Sequence, residues 1–179
     1  MELSEALNNR KSTRHYIDKN IEKSLLDEML SAANLAPSWK NSQTPRFYVA
    51  TGEKSKNAVR EALPEFNRKN SENASAYIVT TVVLNRSGFD KDGTAVTEIG
   101  NGWGYYDLGL NNMALLLKAT ELGISTLVMG IRDGEKLRKE FDIPETEAVV
   151  SVIAVGYTDS EIVRPKRKSV EDFSKFYED

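Results

Sequence analysis

Tyr106-Asp107-Leu108-Gly109-Leu110-Asn111-Asn112-Met113-Ala114-Leu115-Leu116-Leu117-Lys118-Ala119-Thr120-Glu121-Leu122 decides the architecture of this chain, and Gly123 closes the stretch. Leu108, Leu110, Met113, Leu115, Leu116, Leu117, Ala119 and Leu122 leave little polar face. The pattern predicts the longest helix of the molecule, packed into the core on several sides. Gly123 suits the left-handed position that ends a helix. Ser125 to Met129 then reads as a strand that stops at Gly130.

Outward from this helix, Ala76 to Leu84 and Ala148 to Val155 are near-continuous apolar runs, the mark of strands covered on both faces. Arg46 to Thr51 reads as a further strand. Helices are predicted over Glu2 to Asn9, over Glu22 to Ala33 and over Ser55 to Leu63 with Ser55 as N-cap. A last helix follows Asp133 and runs through Phe141. Helices and strands mix without strict βαβ alternation, which favours an α+β fold over a doubly wound sheet. Asn85 to Gly104 is polar, carries the Asp92-Gly93 turn signal, and is long enough to be a functional or mobile loop. With no internal repeat, residues 1–179 are expected to form one domain. Residues 157–179 read as a C-terminal arm in which Val170, Phe173, Phe176 and Tyr177 stand among charges. Such an arm is expected to cover its own core or a partner's.

The missing residue types narrow the chemistry. There is no cysteine and one histidine, His15. Disulfides, iron–sulfur clusters, thiolate nucleophiles, cysteine zinc sites and multi-histidine metal sites are excluded. No Gly-x-Ser-x-Gly elbow or P-loop is present, and the carboxylates form no convincing metal or paired-acid site. If the chain is an enzyme, a bound cofactor supplies its chemistry, and no side chain stands out as catalytic. A non-catalytic domain stays open at this point. The net charge of −3 argues against a nucleic-acid partner. The acidic start Met1-Glu2-Leu3-Ser4-Glu5 carries no signal peptide, and no apolar run could span a membrane, so the cytoplasm is the expected location.

Positive charge is instead gathered at Arg10-Lys11-Ser12-Thr13-Arg14 and at Arg164-Pro165-Lys166-Arg167-Lys168. Ala36-Pro37-Ser38-Trp39-Lys40-Asn41-Ser42-Gln43 adds hydroxyls and amides in a loop where Pro37 stops the preceding helix. Guanidinium and hydroxyl groups suit a phosphate monoester, and amides suit the edge of a heteroaromatic ring. Together they point to a nucleotide-like cofactor.

In order and spacing, these pieces resemble the FMN-dependent nitroreductase family. The resemblance runs through the Arg-Arg-Ser-x-Arg-like start, the Ala-Pro-Ser-x-x-Asn-x-Gln loop, the buried central helix, the strand ending in Gly130, and the basic tail with Arg167, Lys168 and Glu171. It implies a central, mostly antiparallel sheet flanked by helices, and an interlocked homodimer whose arms wrap the partner and whose two FMN sites lie between subunits. By the same resemblance Arg10, Lys11, Ser12, Lys166 and Arg167 would hold the phosphate, and Arg14 would lie near the N1–C2 carbonyl edge. Pro37, Ser38, Asn41 and Gln43 would come from the partner's loop, and Asn67 would offer an amide. Val128, Met129 and Gly130 would run beside the ring, with the Met129 or Gly130 N–H aimed at N5. The implied activity is hydride transfer from NADH or NADPH to a nitroaromatic, a quinone or a related acceptor. Reductive dehalogenation, enone reduction, flavin degradation and flavin binding without turnover are the alternatives. Thr44-Pro45-Arg46 stands where Pro-Trp is common, and only Asn85 to Gly104 could serve as a lid.

Overall fold

The computed structural model describes residues 1–178. Four strands make one sheet: β1 (Pro45–Ala50), β2 (Ala76–Val83), β3 (Ser125–Met129) and β4 (Glu147–Gly156). Their order is β1-β2-β4-β3, and every neighbouring pair is antiparallel. Among the described residues six α-helices flank it: α1 (Leu3–Asn9), α2 (Lys23–Asn34), α3 (Glu53–Glu61), α4 (Glu65–Asn70), α5 (Gly102–Glu121) and α6 (Gly134–Glu140). The α+β expectation and the antiparallel sheet hold.

Side chains alternate across a strand, so β2 and β4 feed two cores. On one face Ile78, Ile153 and Val155 pack with Leu26, Met29 and Ala33 of α2 and with Leu115, Leu116 and Ala119 of α5. On the other, Tyr77, Val79, Val152 and Ala154 meet Val59 of α3 and Leu137 of α6. Gly104 lets α5 lie close to the sheet, because a Cβ there would come within 2.8 Å of Val82 Cγ2. Gly123 has the left-handed φ of 72° expected of it, and the Asp133 carboxylate caps α6 by accepting the Lys136 N–H at 3.0 Å.

Three expectations need correction. The central helix starts at Gly102 rather than Tyr106, and it is buried on one side only. Its outer surface exposes Tyr105, Tyr106 and Met113. The leucine-rich pattern hid this, because an apolar residue left on the surface reads the same as one facing the core. Ser55 is no cap: α3 begins at Glu53 after Gly52, and the Ser55 hydroxyl donates to the Gly52 carbonyl at 2.9 Å. The short helix α4 has too few residues to carry a readable period.

Candidate functional site

The free edge of β3 organises the site. Thr13 N–H donates to the Thr126 carbonyl at 3.0 Å, and Ser12 sits in a parallel bridge to Thr126, so the Lys11–Thr13 segment runs alongside the sheet. In an antiparallel ladder successive residues turn their amides to opposite sides. Thr126 faces this edge, so Val128 faces it too, while Leu127 and Met129 turn their amides to β4, and Gly130 follows directly after the strand. The alternation therefore turns the Met129 N–H away from this edge. The Met129 side chain is buried in the core, whereas Val128 is 45% exposed. Just beyond, the buried Asn67 donates from Nδ2 to the Ile131 carbonyl at 3.1 Å, which fixes the turn after Gly130.

The chain's two ends meet beside this edge. Ile17 bridges Tyr157, the Lys19 ammonium lies 4.0 Å from the Tyr157 ring centroid, and His15 pairs with Asp159 at 3.4 Å. These contacts lead the tail back to α1, where Arg164 Nη1 donates to Asn8 Oδ1 at 3.2 Å. Arg10, at the end of α1, has its pKa lowered by burial and then by the like charges of Arg164 and Arg167. Arg10 thus lies near enough to Arg164 and to Arg167 to feel the charge of each. Among the described residues, no carboxylate within 4.0 Å neutralises any of them. Arg164 escaped the sequence reading, whose only signal for it was membership of the basic run. Lys166 is exposed in the same run. Lys11 lines a cleft of about 380 Å³ with Asn9, Ser125 and Glu161. Arg14 is exposed, its Nη1 on the Ser12 carbonyl at 3.4 Å.

The second group forms a separate ring of contacts. Ser38 Oγ accepts the Gln43 N–H at 3.0 Å, and Gln43 Nε2 donates to Asn41 Oδ1 at 3.2 Å. Pro37, Asn41 and Gln43 are exposed. The loop is seated on α5 through Trp39 N–H, which donates to both Asp107 carboxylate oxygens at 3.1 Å. It walls a cleft of about 300 Å³ together with Asn34, Arg46 and Asn111. The segment ahead of α5, residues 85–101, is tied in through Trp103 at the start of that helix. Trp103 packs on Trp39 with ring centroids 4.6 Å apart and donates from Nε1 to Thr97 at 2.7 Å. Gly88 is required there: its φ is +84°, and a Cβ would come within 2.5 Å of the Trp103 ring. Within one copy, then, the structure brings Arg10 near Arg164 and Arg167 and sets Ser12 on the β3 edge, with Gly130 directly after the strand. The Ser38–Gln43 loop makes its contacts elsewhere, with α5 and the Asn85 to Gly104 loop.

Helices thus flank an antiparallel sheet, and a cluster of arginines lies beside its free edge. Comparison with known proteins gives the class: the nitroreductase family model matches residues 7–157, and the chain belongs to that family. It is 27% identical over 161 residues to a Methanothermobacter thermautotrophicus protein bearing the provisional name NADH dehydrogenase/NAD(P)H nitroreductase, across 88% of this chain and 78% of that one. Its fold is similar to that of a provisionally named nitroreductase from Exiguobacterium sibiricum 255-15, solved in complex with FMN. That pair has a TM-score of 0.85 and 21% identity over 99% of this chain and 98% of the other. It is equally similar to CLA-ER, a gut-bacterial enone reductase, at TM-score 0.85 and 21% identity over 98% and 97% of the two chains.

Proposed function

We propose that this protein is an FMN-dependent oxidoreductase that works as a homodimer, taking hydride from NADH or NADPH and passing it to a nitroaromatic, quinone or enone acceptor. The observation that carries the reading is the nearness of Arg164 and Arg167 to Arg10 without a carboxylate. Like charges gathered this way are unfavourable unless an anion joins them, and a phosphate monoester brings about two negative charges with several acceptor oxygens. The donor set therefore fits the phosphate of FMN. When bound, FMN would supply the ring that takes and returns hydride.

The chain's own residues would bind and orient. The three arginines and the Ser12 hydroxyl hold the phosphate, the Gly130 N–H offers a donor at the β3 edge, and Arg14 brings positive charge near by. Hydride transfer through a cofactor needs alignment more than a protein acid or base, so the proposal requires no side-chain catalyst. His15 is exposed and lies 3.4 Å from Asp159, and the proposal gives it no chemical part.

Dimerisation is part of the proposal because the exposed Tyr105, Tyr106 and Met113 of α5 and the bare aromatics of the arm ask for cover. The Ser38–Gln43 loop of one copy would then complete the site of the other, and each chain would contribute a single FMN-binding domain. The test is direct. Protein purified without added cofactor is expected to be yellow and to release FMN on denaturation. A colourless chain that takes up no added FMN contradicts the reading.

A further inference from the structure

We propose that Asp107 is a positioning residue, a buried carboxylate that sets the conformation of the Ser38–Gln43 loop and through it the fit of the flavin. The flavin part rests on the function proposed above. Asp107 is 2% exposed on α5, and among the described residues no cation lies within 4.0 Å of it. A buried unpaired charge is unfavourable, and an apolar side chain would fill the space more easily, so its hydrogen bonds must account for it.

Those bonds all lead away from its own helix. Both carboxylate oxygens accept the Trp39 N–H, and Oδ2 accepts the Ser87 hydroxyl at 2.5 Å. Ser87 Oγ lies 2.6 Å from Ser42 Oγ and 3.2 Å from Thr44 Oγ1. One carboxylate thus holds the loop on both sides of a strained segment. Lys40, Asn41 and Gln43 have φ of 45°, 55° and 49°, left-handed values that residues other than glycine seldom adopt. Backbone of this kind persists only where the surroundings over-determine it. The Asp107–Trp39 bond fixes the Ser38–Trp39 peptide ahead of Lys40, and the serine–threonine relay fixes the chain after Asn41. Asn41 and Gln43 are carried on that segment.

The chain provides its own reporter. Trp39 in the loop and Trp103 at the start of α5 are its two tryptophans, and they pack together where Asp107 holds the loop to the helix. In the full-length protein, Asp107→Asn should shift tryptophan emission to the red, change the visible circular dichroism of bound FMN, and raise the FMN dissociation constant about tenfold or more. Helix content should stay unchanged. Ser87→Ala should move the same readouts less. Wild-type emission and wild-type FMN affinity in Asp107→Asn would overturn the proposal. Should Asp107→Asn fail to fold, Ser87→Ala decides: unaltered emission and affinity overturn it, and a weakened site upholds it. If the wild-type chain itself binds no FMN, the flavin reading fails, and the emission shift still judges the hold of Asp107 on the loop.

Discussion

Strand β4 and the C-terminal arm follow one another in the chain and meet opposite fates. Val152, Ile153, Ala154 and Val155 of β4 are 0% exposed, whereas Phe173, Phe176 and Tyr177 of the arm are 69%, 76% and 87% exposed. The strand has neighbours on both edges and cores on both faces. Past Arg164 the arm is held by its own turn, in which Ser169 N–H donates to Asp172 Oδ2 at 3.0 Å. Burying each ring would contribute roughly 1.5–3 kcal/mol, and one copy of the chain leaves that gain unrealised. The fold closes within one subunit; the rings of the arm stay bare.

The strongest attempt to break this contrast removes residues 164–179. The truncated chain should lose both dimerisation and most of its FMN while its sheet still unfolds cooperatively. Light scattering, flavin content and urea denaturation read the three, and an intact dimer with full flavin means the arm holds neither. Next comes Ile153→Ala, expected to lower stability by about 2–5 kcal/mol because it empties a closed core. Phe176→Ala, by contrast, should leave unfolding of the isolated subunit unchanged and weaken only self-association, as read by urea melts and sedimentation at low concentration.

Arg167→Ala should cost about 1.5–3 kcal/mol of FMN binding, and Arg10→Ala a similar amount, measured by titration calorimetry. Lys168→Ala should cost less. Equal affinity in the Arg10→Ala chain and the wild type would remove the arginine cluster from the site.

The smallest effect lies in the closed half of the molecule. The Tyr48 hydroxyl donates to Glu147 Oε2 at 2.9 Å; burial and then this bond raise its pKa from 10.0 to about 12. The native state keeps that proton to higher pH than the unfolded chain does. The stabilisation is therefore whole below about pH 10 and fades as pH climbs through about 12. Tyr48→Phe should flatten denaturation curves across that window.

The sequence made the closed half easy to read and the open half hard. β2 and β4 are runs of Val, Ile and Ala whose burial leaves a direct mark on composition, and Asp133 announces α6 through its cap. The α+β class followed from their arrangement. At the site, Arg10 and Arg167 were legible as cations in a run, yet their meeting depends on how Tyr157, Asp159 and Arg164 steer the tail, which no local pattern encodes. Asp107 was invisible for a related reason. An aspartate in an apolar helix reads as a solvent-facing residue until the loops that donate to it are in place.

The central claim, that one site is built from two copies, is tested most directly by complementation. Arg10→Ala and Asn41→Ala chains, each expected to bind FMN weakly, are unfolded together and refolded as a mixture. A heterodimer places the intact phosphate cluster of one chain against the intact loop of the other. About a quarter of all sites should then regain wild-type affinity, since half the dimers are mixed and one of their two sites is whole. A mixture that binds no better than the separate variants would contradict a shared site.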